Sequence, residues 1–213
     1  SGDRVFQIAA HEEKVSLEQL YDWCRTARRL LVPPHAVGRV IARPFVGEST
    51  SYVRTGNRRD FSIDPTGPTM LDRIKEAGLP VVAIGKIVDL FAGRGQTEQH
   101  LTHNNSEGMA AILEALDRVE AGLVMANLVD FDMLWGHRND PQGFHSGLQA
   151  FDAWLPGALS RLRPGDLLML TADHGNDPTT ASTDHSRELV PLIVAGPSVR
   201  AGVDLGIRDT FSD

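Results

Sequence analysis

Four short apolar runs, Val81–Ile84 and residues 123–129, 167–171 and 189–195, alternate with stretches whose apolar residues recur at helical spacing. That alternation is the strongest constraint on the fold. A run of four to seven apolar residues is read as a strand buried on both faces, and strands separated by helices predict a parallel α/β sheet. The helices are marked by their ends. Thr69 with Asp72 caps a helix that Gly78 stops, another follows Ser106 through Met109, Ile112, Leu113 and Leu116, and Phe144, Leu148, Phe151, Leu155, Leu159 and Leu162 form the stripe of a long third. Nearer the start, Ser16 and Gln19 open a helix that Pro33-Pro34 ends, residues 37–45 read as a strand, and residues 49–60 as a polar turn region. The proline- and glycine-bearing stretch 65–68 marks a boundary, and the chain is divided into domains at 1–62 and 63–213.

In open parallel sheets, functional groups gather beyond the carboxyl ends of strands. The second apolar run leads into Asp130, Asp132, His137 and Asp140. The third leads into Asp173-His174-Gly175, with Asp177, Asp184 and His185 in the same loop before the fourth run. Three of eight histidines and a dense set of aspartates are thereby expected on one edge of one sheet. Carboxylate with imidazole is the donor mixture for Mn²⁺, Fe²⁺ or Zn²⁺, and a carboxylate-rich set leans toward manganese. Asp173-His174-Gly175 is the sharpest signal, because adjacent ligands splay apart and glycine permits the tight backbone. Asp130, Asp140, Asp177 and Asp184 read as capping groups or as supports for the ligands.

Charge and composition exclude several classes. A net charge of −7 argues against nonspecific nucleic-acid binding. No apolar run approaches the roughly 20 residues of a membrane span. The single cysteine, Cys24, excludes an internal disulfide and points to a reducing cytoplasm; on its helical pattern it reads as a small buried hydrophobe. The charge is also uneven. Residues 1–62 carry 10 Lys/Arg against 7 Asp/Glu, and residues 63–213 carry 11 against 21. The first part suits an anionic ligand, through the cluster Arg39, Arg43, Arg54, Arg58 and Arg59, and the second is rich in oxygen donors for cations. Gly93-Arg-Gly95 has no lysine of a phosphate loop and reads as a turn.

The stretches NLVDFDMLWGHR (127–138), TADHGNDP (171–178) and TDHSRE (183–188) resemble the phosphopentomutases of the alkaline phosphatase superfamily. QIAAHEE (7–13), VGRVIARPFVGE (37–48) and AIGKI (83–87) resemble the same family, so the likeness runs along essentially the whole chain. It implies an alkaline-phosphatase-like core with a mainly parallel sheet flanked by helices, plus part of an inserted α+β cap over residues 1–62. It implies an isomerase that interconverts ribose 1-phosphate and ribose 5-phosphate, and their deoxyribose equivalents, through a phosphothreonine and two Mn²⁺ ions, with a sugar 1,6-bisphosphate as activator.

The resemblance assigns Asp132, His137 and His185 to one ion and Asp173 and His174 to the other. Arg39 and Lys86 stand in its motifs as phosphate contacts, with Arg43, Arg54 and Arg58 beside them and Asp3 as a sugar contact. The family's amino-terminal aspartate ligand and nucleophilic threonine find no counterpart, and Thr171 and Thr183 read as structural. A closing helix of the family is also unmatched. The chain is therefore expected to be a fragment, inactive alone, with its second ion under-coordinated. A cofactor-independent phosphoglycerate mutase or a phosphatase of the same superfamily would share the metal set but differ in the cap. A non-catalytic protein that binds metal or sugar phosphate would fit the unmatched threonine.

Overall fold

The computed structural model describes residues 5–48 and 51–211. The chain divides into two compact units, residues 1–101 with 121–127, and residues 102–120 with 128–213.

The first unit holds two sheets. In one, β1 (Val5–His11) and β2 (Arg39–Val46) run parallel, joined by α1 (Leu17–Leu30). The short strands β3 (Val53–Arg54) and β4 (Arg59–Ser62) return antiparallel on β2. Ser16 Oγ accepts from the Gln19 amide at the start of α1, satisfying one of the helix's unpaired donors. Leu20 and Cys24 of α1 pack on Ala10, Val40 and Ala42. Cys24 is fully buried, as its helical pattern predicts, and burial pushes its thiol above the ordinary value.

The other sheet is wholly parallel. Its centre is β5 (Val81–Ile84), flanked by β6 (Glu98–His100) and β7 (Leu123–Ala126). All four residues of β5 are buried, which is why its sequence is apolar without alternation. Val81 and Ala83 pack with Leu71 of α2 (Met70–Glu76) and Ile87 of α3 (Ile87–Leu90). Thr69 and Asp72 form the reciprocal capping box at the start of α2.

The second unit contains α4 (Asn105–Arg118), a π-helical turn (Phe131–Trp135), a 3-10 turn (Gly136–Arg138), α5 (Pro141–Leu159) and the strands β8 (Leu168–Thr171) and β9 (Leu192–Ala195). Two helices start earlier than their apolar stripes suggest, because polar caps precede the stripes. Asn104 Oδ1 accepts from the Glu107 amide, and Asp140 Oδ1 from the Gly143 amide. β7 is shorter than the apolar run 123–129, since the Val129 carbonyl already accepts from Met133 in the helical turn. β9 is shorter than the run 189–195 because Pro191 cannot donate to a ladder.

One expectation needs correcting. Among the described residues the strands carrying the Asp/His loops are hydrogen-bonded into separate sheets. β7 belongs to the parallel sheet, whereas β8 and β9 pair with each other and antiparallel. The segment between β8 and β9 is an irregular loop, which allows an antiparallel return but supplies no crossover helix of the kind a parallel pairing uses.

Among the described residues no helix is long and apolar enough to cross a membrane.

Candidate metal centre

Asp130 ends the segment after β7 and is buried together with Asn105, at the first position of α4. The two exchange hydrogen bonds: the Asn105 amide donates to Asp130 Oδ2 at 2.8 Å, and the Asp130 amide donates to Asn105 Oδ1 at 2.9 Å. This reciprocal pair anchors the chain just before it enters the π-helical turn. Such turns are irregularities that recur at functional sites. Here the turn carries Asp132, and it is wedged against α5 by aromatic packing. Phe131 meets Trp135 and Phe144 edge-on at 5.3 and 5.2 Å between ring centroids. The Trp135 indole lies over Gly143 and Gly147, where an added Cβ would come within 2.3 and 2.2 Å of the ring.

Asp132 Oδ1 is the point of convergence. His137 Nε2 lies 3.2 Å from it and His185 Nε2 3.3 Å, while Asn176 Nδ2 donates to it at 2.8 Å. The His185 ring is stacked between the other two imidazoles, 3.6 Å from His174 and 4.9 Å from His137. Donor atoms of Asp132, His174 and His185 all lie within 4.8 Å of one another. Ligands about 2.0–2.2 Å from one first-row ion stand at most about 4.4 Å apart, so small side-chain rotations bring these donors to bonding distance.

The tautomers suit a cation as well. His137 Nδ1 is 2.5 Å from the Thr183 carbonyl, and His174 Nδ1 is 3.2 Å from the Gly175 carbonyl. A carbonyl only accepts, so Nδ1 carries the proton in each and the Nε2 lone pair is left for a metal. The His137 and Asp132 side chains are 33% and 32% exposed, open enough for an ion to enter from solvent. Two imidazoles with ordered tautomers, a third stacked on them and a carboxylate at their centre fit a divalent transition metal.

The supporting loop is tied back on itself. Ser186 donates its amide to the Gly175 carbonyl at 3.0 Å, and Ser186 Oγ accepts from the Asp177 amide at 3.0 Å. A Cβ on Gly175 would meet the Ser186 carbonyl at 2.8 Å, so this glycine supplies room for the close approach that brings His174 and His185 together. Asn139, in the left-handed region at φ 50°, donates to the Thr180 carbonyl at 2.7 Å and ties the 3-10 turn to the same loop.

Of the five residues expected as ligands, Asp132, His137, His174 and His185 come together. The ring of His174, expected to share an ion with Asp173, is stacked on His185. The Asp173 carboxylate is more than half exposed, with Oδ2 3.7 Å from His174 Nε2. Among the supporting aspartates, Asp130 is locked to Asn105, Asp140 caps α5, and Asp177 accepts from the Thr179 hydroxyl and then its amide, which hold its carboxyl below the usual range. Asn176 carries no signal in the sequence. An amide leaves no spacing signature, and only the fold puts it against Asp132.

The expected phosphate contacts lie in the first unit. Arg58 makes two 2.8 Å hydrogen bonds to the Asp60 carboxylate, and Arg39 approaches the same group at 3.7 Å. Arg43, beside them on β2, has its Nε buried without a hydrogen-bond partner among the described residues; burial and the charges of Arg58 and Arg54 lower its pKa. Lys86 precedes α3. Its charge, with those of Arg58 and Arg39, opposes the burial and the Asp60 charge that raise the pKa of Asp89. Four of the basic candidates are thus in electrostatic reach of the Asp60–Asp89 pair or of Arg43. Arg59 points elsewhere, over the rings of Tyr21 and Phe61 at 5.4 and 5.5 Å. Asp3 lies outside the described residues.

Comparison with known proteins places this geometry in context. A family model described as the Metalloenzyme superfamily matches residues 71–213. Curated relatives described as phosphopentomutase align with all 213 residues: 57% identical in Caldanaerobacter subterraneus subsp. tengcongensis, 61% in Anaeromyxobacter dehalogenans strain 2CP-C and 54% in Carboxydothermus hydrogenoformans. The chain spans 54%, 54% and 55% of those proteins, about half their length. Among solved structures, the PH0037 protein from Pyrococcus horikoshii superposes with a TM-score of 0.52 at 16% identity, covering 88% of this chain and 54% of that one. That likeness concerns the fold alone.

Proposed function

The chain belongs to the Metalloenzyme superfamily, and from that membership we propose that it supplies the metal centre of a phosphopentomutase. In this reading the substrates are ribose 1-phosphate and ribose 5-phosphate with their deoxyribose equivalents. The phosphoryl group passes through a phosphothreonine, a sugar 1,6-bisphosphate primes the reaction, and the protein works in the cytoplasm. Two Mn²⁺ ions would be held by Asp132, His137 and His185 and by Asp173 and His174. When bound, such ions neutralise a transferring phosphoryl group and lower the pKa of an attacking hydroxyl.

The observation that carries the proposal is that donors from both proposed ion sites, Asp132 and His185 of one and His174 of the other, lie within 4.8 Å of one another. It occurs in a chain 54–61% identical to phosphopentomutases over its whole length. The residues divide the work. Thr183 and Gly175 carbonyls orient His137 and His174, and the Asn105–Asp130 pair anchors the turn that presents Asp132. Residues 1–62 are proposed as part of a cap that recognises the sugar phosphate, and residues 63–213 as the metal-binding core. In the cap, Asp60 holds Arg58 in a planar, two-bonded arrangement, so that a guanidinium is fixed before an anionic ligand arrives.

The experiment has two arms. Calorimetry with ribose 5-phosphate and 3-phosphoglycerate in competition, in the presence of Mn²⁺, is expected to favour the ribose phosphate; a preference for 3-phosphoglycerate overturns the choice of substrate. In a protein carrying this chain within the full length of its relatives, His185→Ala is expected to abolish conversion of ribose 1-phosphate. Normal conversion by that variant overturns the ligand assignment.

A further inference from the structure

We propose that Asn176 is a positioning residue of the metal centre: its side-chain amide fixes the orientation of the Asp132 carboxylate, from a slot that exists because residue 136 is glycine. The inference rests on the metal-centre reading above and goes beyond its ligand set.

Three observations carry it. First, Asn176 Nδ2 donates to Asp132 Oδ1 at 2.8 Å, the same oxygen that His137 and His185 approach. Only the NH₂ end of the amide can face a carboxylate oxygen, so this contact also fixes which way the amide points. Second, the other end of that amide, Oδ1, is buried and accepts no hydrogen bond among the described residues. Burying an acceptor unpaired costs free energy and offsets what the Nδ2 hydrogen bond adds to the stability of the fold. The contribution of the amide therefore lies in what it does to Asp132.

Third, Gly136 makes the room. A Cβ there would sit 2.3 Å from Asn176 Nδ2, 2.4 Å from Cγ and 2.6 Å from Oδ1. Gly136 has φ −60° and ψ −61°, an ordinary helical conformation open to every L-residue. Its backbone has no need of glycine; the neighbouring amide has.

The chemistry of the donor matters. A carboxylate ligand turns about its Cβ–Cγ bond unless something holds it, and outer hydrogen bonds of this kind orient ligands and tune the ion they bind. A lysine or arginine in this place would hold Asp132 but compete with the cation for its charge. A neutral amide restrains the carboxylate and leaves its full negative charge for the ion.

The test is Mn²⁺ titration of the 213-residue chain by calorimetry, paired with thermal denaturation in excess chelator. Asn176→Ala is expected to weaken Mn²⁺ binding by roughly 10–100-fold, with the melting temperature in chelator unchanged. Gly136→Ala is expected to weaken it comparably by displacing the amide. The double variant is expected to bind no more weakly than either single one, because the added methyl has nothing left to displace. Asn176→Leu, which fills the slot without hydrogen bonding, is expected to repeat the loss and serves if the alanine variant does not fold.

His185→Ala separates the inference from the reading beneath it. If His185→Ala loses Mn²⁺ while the Asn176 variants bind like the unaltered chain, the positioning role is overturned and the metal centre stands. Losses that add in the double variant, or that track a falling melting temperature in chelator, also overturn the role. If His185→Ala binds Mn²⁺ normally, or the unaltered chain does not bind it, the metal centre itself falls and the inference with it.

Discussion

Asp132 shows how much one side chain can depend on its neighbours. Its Oδ1 is approached by an imidazole of the 3-10 turn and by an imidazole and an amide of the loop between β8 and β9. Removing a member of this group removes a donor and also releases the others. His185→Ala deletes the ring that stacks on both His174 and His137. Its Mn²⁺ affinity, measured by calorimetry, is expected to fall by more than the roughly 10–100-fold typical of outer hydrogen-bond changes. A residue of the capping kind behaves differently. Thr69→Ala removes the hydroxyl half of the capping box of α2 and is expected to cost about 1 kcal/mol in chemical denaturation at neutral pH. The partner in that box, Asp72, has its pKa lowered from 3.8, first by the Thr69 amide and then by the Thr69 hydroxyl. A carboxyl depressed on folding contributes stability that is present above its unfolded value near 3.8 and lost as pH falls through the folded value. The acid limb of the pH–stability curve is accordingly expected to be shallower in Thr69→Ala than in the unaltered chain.

At the scale of elements, the π-helical turn is where packing and site meet. It is a short, irregular helix that would not hold its shape alone, and its aromatic residues dock it on α5. Gly143 and Gly147 stand one turn apart on α5 and leave a groove for the Trp135 indole. Gly147→Ala would drive a methyl to within 2.2 Å of that ring. It is expected to destabilise the fold by about 1–3 kcal/mol, read from denaturant midpoints. Because the same turn carries Asp132, Mn²⁺ affinity is expected to fall as well. An unchanged affinity at reduced stability would show that the turn keeps its geometry without the groove.

For the molecule as a whole, all of the converging candidate donors lie in the second unit and the arginine cluster lies in the first. Mn²⁺ at about 100 times its dissociation constant is expected to add about 2.7 kcal/mol to the stability of whatever binds it. Hydrogen exchange is expected to localise that gain. Amides in residues 128–188 should gain protection on adding Mn²⁺ and lose it on chelation, while β1, β2 and β4 should not respond. Uniform protection across both units would show that the metal stabilises the chain as one cooperative body.

The alternation of apolar runs and helical stripes determined the α/β class and the place of each main element, because local spacing encodes which faces are buried. β5 is buried along its whole length, as its unbroken apolar run requires, and α2 starts at the capping box that Thr69 and Asp72 spell out. The Asp- and His-bearing loops were equally legible, since a dense set of metal-type donors after apolar strands is a local pattern. Strand partnership was not, because hydrogen bonding between β8 and β9 depends on how the loop between them returns. Nor was the stacking of the imidazoles. His174 and His185 are eleven positions apart, and their stacking follows from the Gly175–Ser186 closure of the loop between them. Asn176 and Gly136 lie furthest from what sequence alone determines: an amide and a missing side chain acquire meaning only when tertiary folding presses one against the other, beside Asp132.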